Sequence, residues 1–186
     1  NRFSGGKGYC GADAEMNIAS ICLHRGEEPP ISGPDGICNV FFSGCNLRCI
    51  YCQNFEISRP RTSSGNYTFK AALDEITSYI EGGIRAVGFV SPSHVIPQVR
   101  ALIREIRKRG LRPITVYNTN SYDNPEVIKG NEGLIDVYLP DLKYVTASIA
   151  GDYSDAVNYP EIALAALREM YYQKGSVLHT DERGRA

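Results

Sequence analysis

Two kinds of apolar pattern alternate along this chain. Short, mainly apolar runs at Ile37–Phe42, Ile84–Val90, Pro113–Tyr117 and Leu134–Leu139 predict strands, the second of them buried on both faces. Between them, apolar residues recur at helical spacing. Phe69, Ala72, Leu73, Ile76, Tyr79 and Ile80 predict a helix over Thr68–Glu81, with Thr68 as its N-cap and Gly82-Gly83 as its stop. Val95, Val99, Leu102, Ile103 and Ile106 predict a second, whose basic last turn (Arg107–Arg109) suits the negative end of the helix before Gly110 closes it. Asn124-Pro125-Glu126 opens a short third helix. Ile162, Ala165, Ala166 and Met170 mark the inward face of a fourth over Pro160–Tyr172. Ile18–Leu23 predicts a short strand ahead of these units. The Pro- and Gly-punctuated Glu27–Gly36 and the polar Arg59–Gly65 predict loops, and Gly175–Ala186 a hairpin arm or exposed end.

Strands alternating with helices argue for an α/β fold, a parallel sheet with helices outside it, either open or curled toward a barrel. About four strand–helix units are present. In such folds ligands gather at the carboxyl ends of the strands. Those ends carry Cys45, Cys49 and Cys52 after the first run and Ser91-Pro92-Ser93-His94 after the second. Asn118-Thr119-Asn120 follows the third, and Asp141-Leu142-Lys143 the fourth. Alternation along a strand predicts that Leu142 points away into packing.

Length and charge change this picture little. The 186 residues suit one domain with a substantial core, and a net charge of −1 supplies no bulk attraction for nucleic acid or an anionic membrane. No apolar run approaches a membrane span, and no signal peptide opens the chain. The six cysteines matter more. Cys45, Cys49 and Cys52, spaced C-x3-C-x2-C, offer three soft ligands within one loop, the donor type that a [4Fe–4S] cluster takes. A cube normally takes four thiolates, so three leave one iron open for a substrate. Zinc is the alternative, its fourth ligand coming from Cys10, Cys22, Cys38 or a distant His. The packing expectation for Cys22 and Cys38 is that of small apolar residues. Cys10 is either an orphaned ligand or, as favoured here, a small half-buried residue. This cysteine usage points to a reducing compartment, the cytoplasm.

The run Gly44-Cys45-Asn46-Leu47-Arg48-Cys49-Ile50-Tyr51-Cys52-Gln53-Asn54 resembles the cluster loop of radical S-adenosylmethionine (SAM) enzymes, most closely the pyruvate formate-lyase activating enzymes and their uncharacterised homologues. The resemblance implies that Cys45, Cys49 and Cys52 each hold one iron, and that the fourth iron takes the amino and carboxylate groups of SAM. Reductive cleavage of SAM then gives a 5′-deoxyadenosyl radical that abstracts hydrogen. It further implies a partial (β/α) barrel, truncated here because only four units are counted. Residues 1–36 would be an N-terminal extension and linker left from a cysteine-bearing segment, and 37–186 the core, incomplete on its C-terminal side.

In the second unit the family's glycine-glycine-glutamate segment is replaced by Ser91-Pro92-Ser93, so Ser91 and Ser93 are the implied contacts to the cofactor. His94 is either a proton relay or a helix-start histidine satisfied by the backbone. Asn118-Thr119 resembles the activating enzymes' Asp-Thr segment near a bound cation, with Asn118 in place of the Asp. Asp141 and Lys143 resemble a Leu-Asp-Leu-Lys segment whose Lys approaches the cofactor carboxylate, and Tyr51 would meet the adenine. The implied partners are SAM, a glycyl radical enzyme or else a small molecule or peptide, and a flavodoxin or ferredoxin as electron donor. A non-catalytic zinc-binding module is the rival of another class.

Overall fold

A computed structural model of the chain describes residues 2–59, 67–180 and 182. Most of the loop expected at 59–65, and the tail at 181 and 183–186, lie outside the described residues.

Five strands form one sheet in the order β1-β2-β3-β4-β5. β1 (Ile18–His24) is antiparallel to β2 (Ile37–Phe42). β3 (Ala86–Val90), β4 (Ile114–Thr119) and β5 (Val137–Pro140) then add in turn, all parallel. Each parallel junction is crossed by helices: α3 (Phe69–Glu81) after β2, α4 (Ile96–Lys108) after β3 and α5 (Pro125–Lys129) after β4. α6 (Ala147–Ser154) and α7 (Tyr159–Lys174) follow β5. Two four-residue turns, α1 (Pro29–Ser32) and α2 (Phe55–Ser58), flank β2 and its loop. The alternating pattern predicts this parallel α/β sheet, and its four parallel units are consistent with the partial (β/α) barrel that the resemblance of the cysteine loop implies. Among the described residues no helix is long and apolar enough to cross a membrane.

Period-two alternation divides the sheet into two faces. Cys38, Val40, Phe42, Val87, Phe89, Tyr117 and Tyr138 face α3, α4 and α7 and build the main core with Leu73, Ile76, Val99, Leu102, Ile103, Ile106 and Met170. Burial pushes the Cys38 thiol up to about 12, with Cys22 and Glu75 adding, so it packs as an inert apolar residue. On the other face the starts of the strands are apolar: Ile37, Ala86, Ile114, Val116 and Val137 pack with Ile31. One or two steps further along the same face stand Asn39, Phe41, Val90 and Asn118, which border a cavity instead.

Several boundaries depart from the expected ones. β3 begins two residues late because the Ile84 amide still donates to the Tyr79 carbonyl at 3.0 Å, closing α3 through Gly83 at φ +101°. β5 begins three residues late. The Asp136 carboxylate takes the Thr115 amide and hydroxyl at 2.8 and 2.7 Å, while Arg107 holds the carbonyls of Gly133 and Leu134. β5 also ends at Pro140, so alternation lapses and Leu142 is 44% exposed rather than packed. In α7 the buried positions are Tyr159, Ala163, Ala166 and Met170. The helix starts one residue early, and the fully buried Tyr159 ring sets its rotation. α6 was not anticipated, and β1, expected ahead of the core, is an edge strand of its sheet.

Candidate functional site

Where β2 ends, the chain turns sharply into the cysteine loop. Ser43 donates its amide to the Asn17 carbonyl at 2.6 Å, and Gly44 its amide to that of Ile57 at 2.7 Å. Gly44 has φ +83°, and a Cβ there would fall within 3.0 Å of the Cys10 carbonyl oxygen, so both conformation and space demand glycine. Asn46 ties the loop to the end of β4, donating to the Tyr122 carbonyl at 2.6 Å and accepting from Asn120 Nδ2 at 2.9 Å. Arg59 caps the Cys49 carbonyl at 3.0 Å.

These anchors present Cys45, Cys49 and Cys52 to one cavity of about 620 Å³, lined also by Tyr51, Ser91, Asn118, Thr119, Asp141 and Lys143. Its volume falls within the range of ordinary cofactor sites. Of the candidate contacts singled out from sequence at the strand ends, Ser93 and His94 are absent from the lining. Ser93 stands behind the wall, its hydroxyl 3.2 Å from Thr119 Oγ1. Thr119 in turn donates to the buried Asp123 carboxylate at 2.5 Å, which also accepts from Tyr117 at 2.9 Å. Burial raises Asp123 above the usual carboxylate range against the pull of these hydroxyls. Ser91 sits on the wall in a left-handed conformation, φ +51°, ψ +51°, rare for a serine.

Lys143 reaches the cavity beside Asp141, Nζ to Oδ2 2.8 Å, with the lysine mostly covered and the aspartate mostly exposed. The segment is latched by Tyr159. Its hydroxyl accepts the Lys143 amide at 2.8 Å and lies 2.7 and 2.9 Å from the carbonyls of Asn120 and Asp141. His94 is not on the cavity. Its Nε2 lies 2.8 Å from the Ser43 carbonyl, an acceptor, so this nitrogen carries the proton and anchors the ring to the backbone, while the buried Nδ1 has no hydrogen-bond partner among the described residues.

Each of the three loop thiols has a hydrogen-bond partner. Cys45 accepts from the Leu47 amide at 3.4 Å and from Asn120 Nδ2 at 3.6 Å. Cys49 accepts from Ser154 at 3.0 Å, and Cys52 lies 3.3 Å from Ser58 Oγ. Burial raises the Cys45 thiol, the Leu47 amide lowers it, and the neighbouring Cys49 and Cys52 charges raise it again. Gathered thiolates repel, and a bound cationic centre relieves that repulsion. Among the described residues no three His, Cys, Asp or Glu side chains converge on a single-ion site. A cubane makes a different demand, because it is gripped at separate corners.

The Radical SAM superfamily matches residues 39–170, from β2 into α7. The chain belongs to this superfamily. Membership implies a [4Fe–4S] cluster and SAM, and the donor set fits both: three soft thiols on one wall, hydroxyl, amide and ammonium groups on the others. The chain is also 26% identical, over 162 residues, to an uncharacterised protein of Methanocaldococcus jannaschii. That alignment covers 84% of this chain and 46% of the relative, so the chain spans about half the length of the curated relative it matches.

Sequence reasoning left out Asn39, Glu27, Asn120 and Ser154. Asn39 and Glu27 line the cavity joined by a 3.1 Å bond from Nδ2 to Oε1, and a buried Asn inside an apolar strand was the signal for the first. Asn120 lay within the strand-end segment already marked, whereas Ser154 carried no local signal.

Proposed function

We propose that this chain carries the cluster and cofactor site of a radical SAM enzyme of the pyruvate formate-lyase activating type. One observation carries the proposal: the three thiols share a single cavity with Ser91, Asn118, Thr119, Asp141 and Lys143 at the carboxyl ends of parallel strands. Cys45, Cys49 and Cys52 would each hold one iron. When bound and reduced, the cluster with SAM supplies a 5′-deoxyadenosyl radical for hydrogen abstraction, the hard chemistry residing in the cofactor.

The protein's part is binding and orientation. Lys143 offers an ammonium to the cofactor carboxylate, and Asp141 holds that lysine in place. Ser91 and Asn118 offer polar contacts from the ends of β3 and β4, with Thr119 beside them braced by Ser93. Tyr51 offers its backbone or ring face to adenine, and Phe41 and Val90 present apolar surface on the lining. The finer assignment rests on the resemblance of the cysteine loop and the Asp141–Lys143 segment. It places the abstracted hydrogen on a glycine of a partner enzyme, with a flavodoxin or ferredoxin as electron donor and the cytoplasm as setting. Residues 37–186 form the proposed core, with 1–36 as an extension attached through β1.

The test is anaerobic incubation of iron- and sulfide-loaded protein with SAM and dithionite. Release of 5′-deoxyadenosine is expected, and Lys143→Ala should weaken SAM retention. Cluster-loaded protein that leaves SAM intact contradicts the proposal. A glycine radical on an added glycyl radical enzyme tests the finer assignment, and hydrogen taken instead from a small molecule or peptide overturns it.

A further inference from the structure

The last turn of α6 docks on the cysteine loop. The amides of Arg48 and Ile50 donate to the carbonyls of Ser154 and Tyr153, both at 3.0 Å. This brings the fully buried Ser154 hydroxyl to 3.0 Å from Cys49 Sγ, across 105 residues of sequence. Behind it the Tyr144 hydroxyl lies 2.6 Å from Ser154 Oγ, and the Tyr51 hydroxyl is hydrogen-bonded to that of Tyr144. The Tyr144 ring is held edge-on between Tyr51 and Tyr159, with centroids 6.5 and 5.4 Å away.

A hydroxyl has one proton to donate. With that of Ser154 directed at the sulfur, its oxygen must accept from Tyr144, and Tyr144 must accept from Tyr51. The order of donation runs one way, from the cavity wall at Tyr51 to the thiol at Cys49, and each bond polarises the next. Among the described residues Cys45 and Cys52 have no such chain of hydroxyls: their partners come from the cysteine loop, from Ser58 just beyond it and from a longer amide contact to Asn120.

We propose that Ser154 is a positioning residue that sets the electron affinity of the cluster through Cys49, reinforced by the hydroxyl chain Tyr51–Tyr144–Ser154. This rests on the cluster proposed above. A hydrogen bond draws charge from a thiolate and so favours the cluster state carrying the extra electron; such bonds are among the determinants of iron–sulfur potentials. Removing it lowers the midpoint potential of the one-electron couple, with dithionite supplying the electron in the assay.

The experiment is an EPR-monitored redox titration of reconstituted wild type, Ser154→Ala, Ser154→Thr and Tyr144→Phe, with iron content measured for each. Ser154→Ala should keep its iron but hold about tenfold less reduced relative to oxidised cluster at the wild-type midpoint, a shift of ~59 mV. Ser154→Thr, which keeps a hydroxyl, should return toward wild type. Tyr144→Phe should shift in the same direction by less, because its hydroxyl acts on the sulfur through Ser154. Unchanged midpoints in Ser154→Ala and Tyr144→Phe, with iron intact, overturn the inference and leave the cluster standing. Should Ser154→Ala alone fail to hold iron, Tyr144→Phe decides, a lower midpoint supporting the inference and an unchanged one overturning it. Wild type that takes up no iron removes the cluster proposal itself, and the inference with it.

Discussion

Gly44 is where fold and site meet, and Gly44→Ala measures how tightly they are joined. Two penalties act on the alanine. At φ +83° an L-residue pays a conformational cost of about 1–2 kcal/mol. Its Cβ would also come within 3.0 Å of the Cys10 carbonyl oxygen, a backbone atom that cannot swing aside. Forced overpacking of this kind costs about 1–3 kcal/mol. Gly110 separates the two effects. It has nearly the same φ, +82°, yet nothing lies within 4 Å of a Cβ built on it. Gly110→Ala therefore carries the conformational penalty alone, and the gain from a stiffer unfolded chain is common to both variants. Gly44→Ala should be the less stable by about 1–3 kcal/mol. For a domain of this size that is a melting temperature lower by roughly 2–12 °C, read by circular dichroism on cluster-free protein. Equal melting temperatures, or a lower one for Gly110→Ala, would refute the close approach of the N-terminal segment to the cysteine loop.

Two further outcomes follow from the cavity wall and its support. Gly88 pairs with Asn39 across β2 and β3, and a Cβ there would strike Asn39 Oδ1 and approach Ile37; Gly88→Ala should cost about 1–3 kcal/mol, and Asn39→Ala should relieve part of it in a double-mutant cycle, additivity refuting the contact. Desolvation by burial holds His94 below its ordinary value against the Ser43 hydrogen bond. The unfolded chain therefore takes up this proton first as pH falls, so its contribution is complete above pH ~6.5 and lost as pH drops through that value. Urea midpoints between pH 8 and 5.5 should fall more steeply for wild type than for His94→Gln, and equal slopes would contradict the burial argument.

How much of this was legible in sequence depended on how local the cause was. Cys45, Cys49 and Cys52 lie within eight consecutive residues, so their spacing alone announced soft-metal chemistry. The strands were legible because their runs are mainly apolar, interrupted once each, by Asn39, Arg85, Thr115 and Asp136. Their starts were not, since β5 waits on Asp136 accepting from Thr115 on another strand. α6 escaped notice because eight residues that include Gly151 and leave Ile149 and Tyr153 half exposed carry almost no helical stripe. Ser154 escaped with it, since its meaning lies in a contact to Cys49 that no local spacing encodes. Lys143 and Asp141 were found by position after a strand, whereas the Tyr159 latch that holds them comes from the start of α7.

The central claim is that these three thiols together hold one redox-active cluster that receives SAM. Anaerobic reconstitution of wild type and Cys49→Ala with iron and sulfide, followed by metal analysis and visible spectra with and without SAM, tests it most directly. The account predicts about four irons per wild-type chain, a spectrum that changes on adding SAM, and loss of both in the variant. A colourless protein that retains one zinc through Cys45, Cys49 and Cys52 and ignores SAM would contradict it.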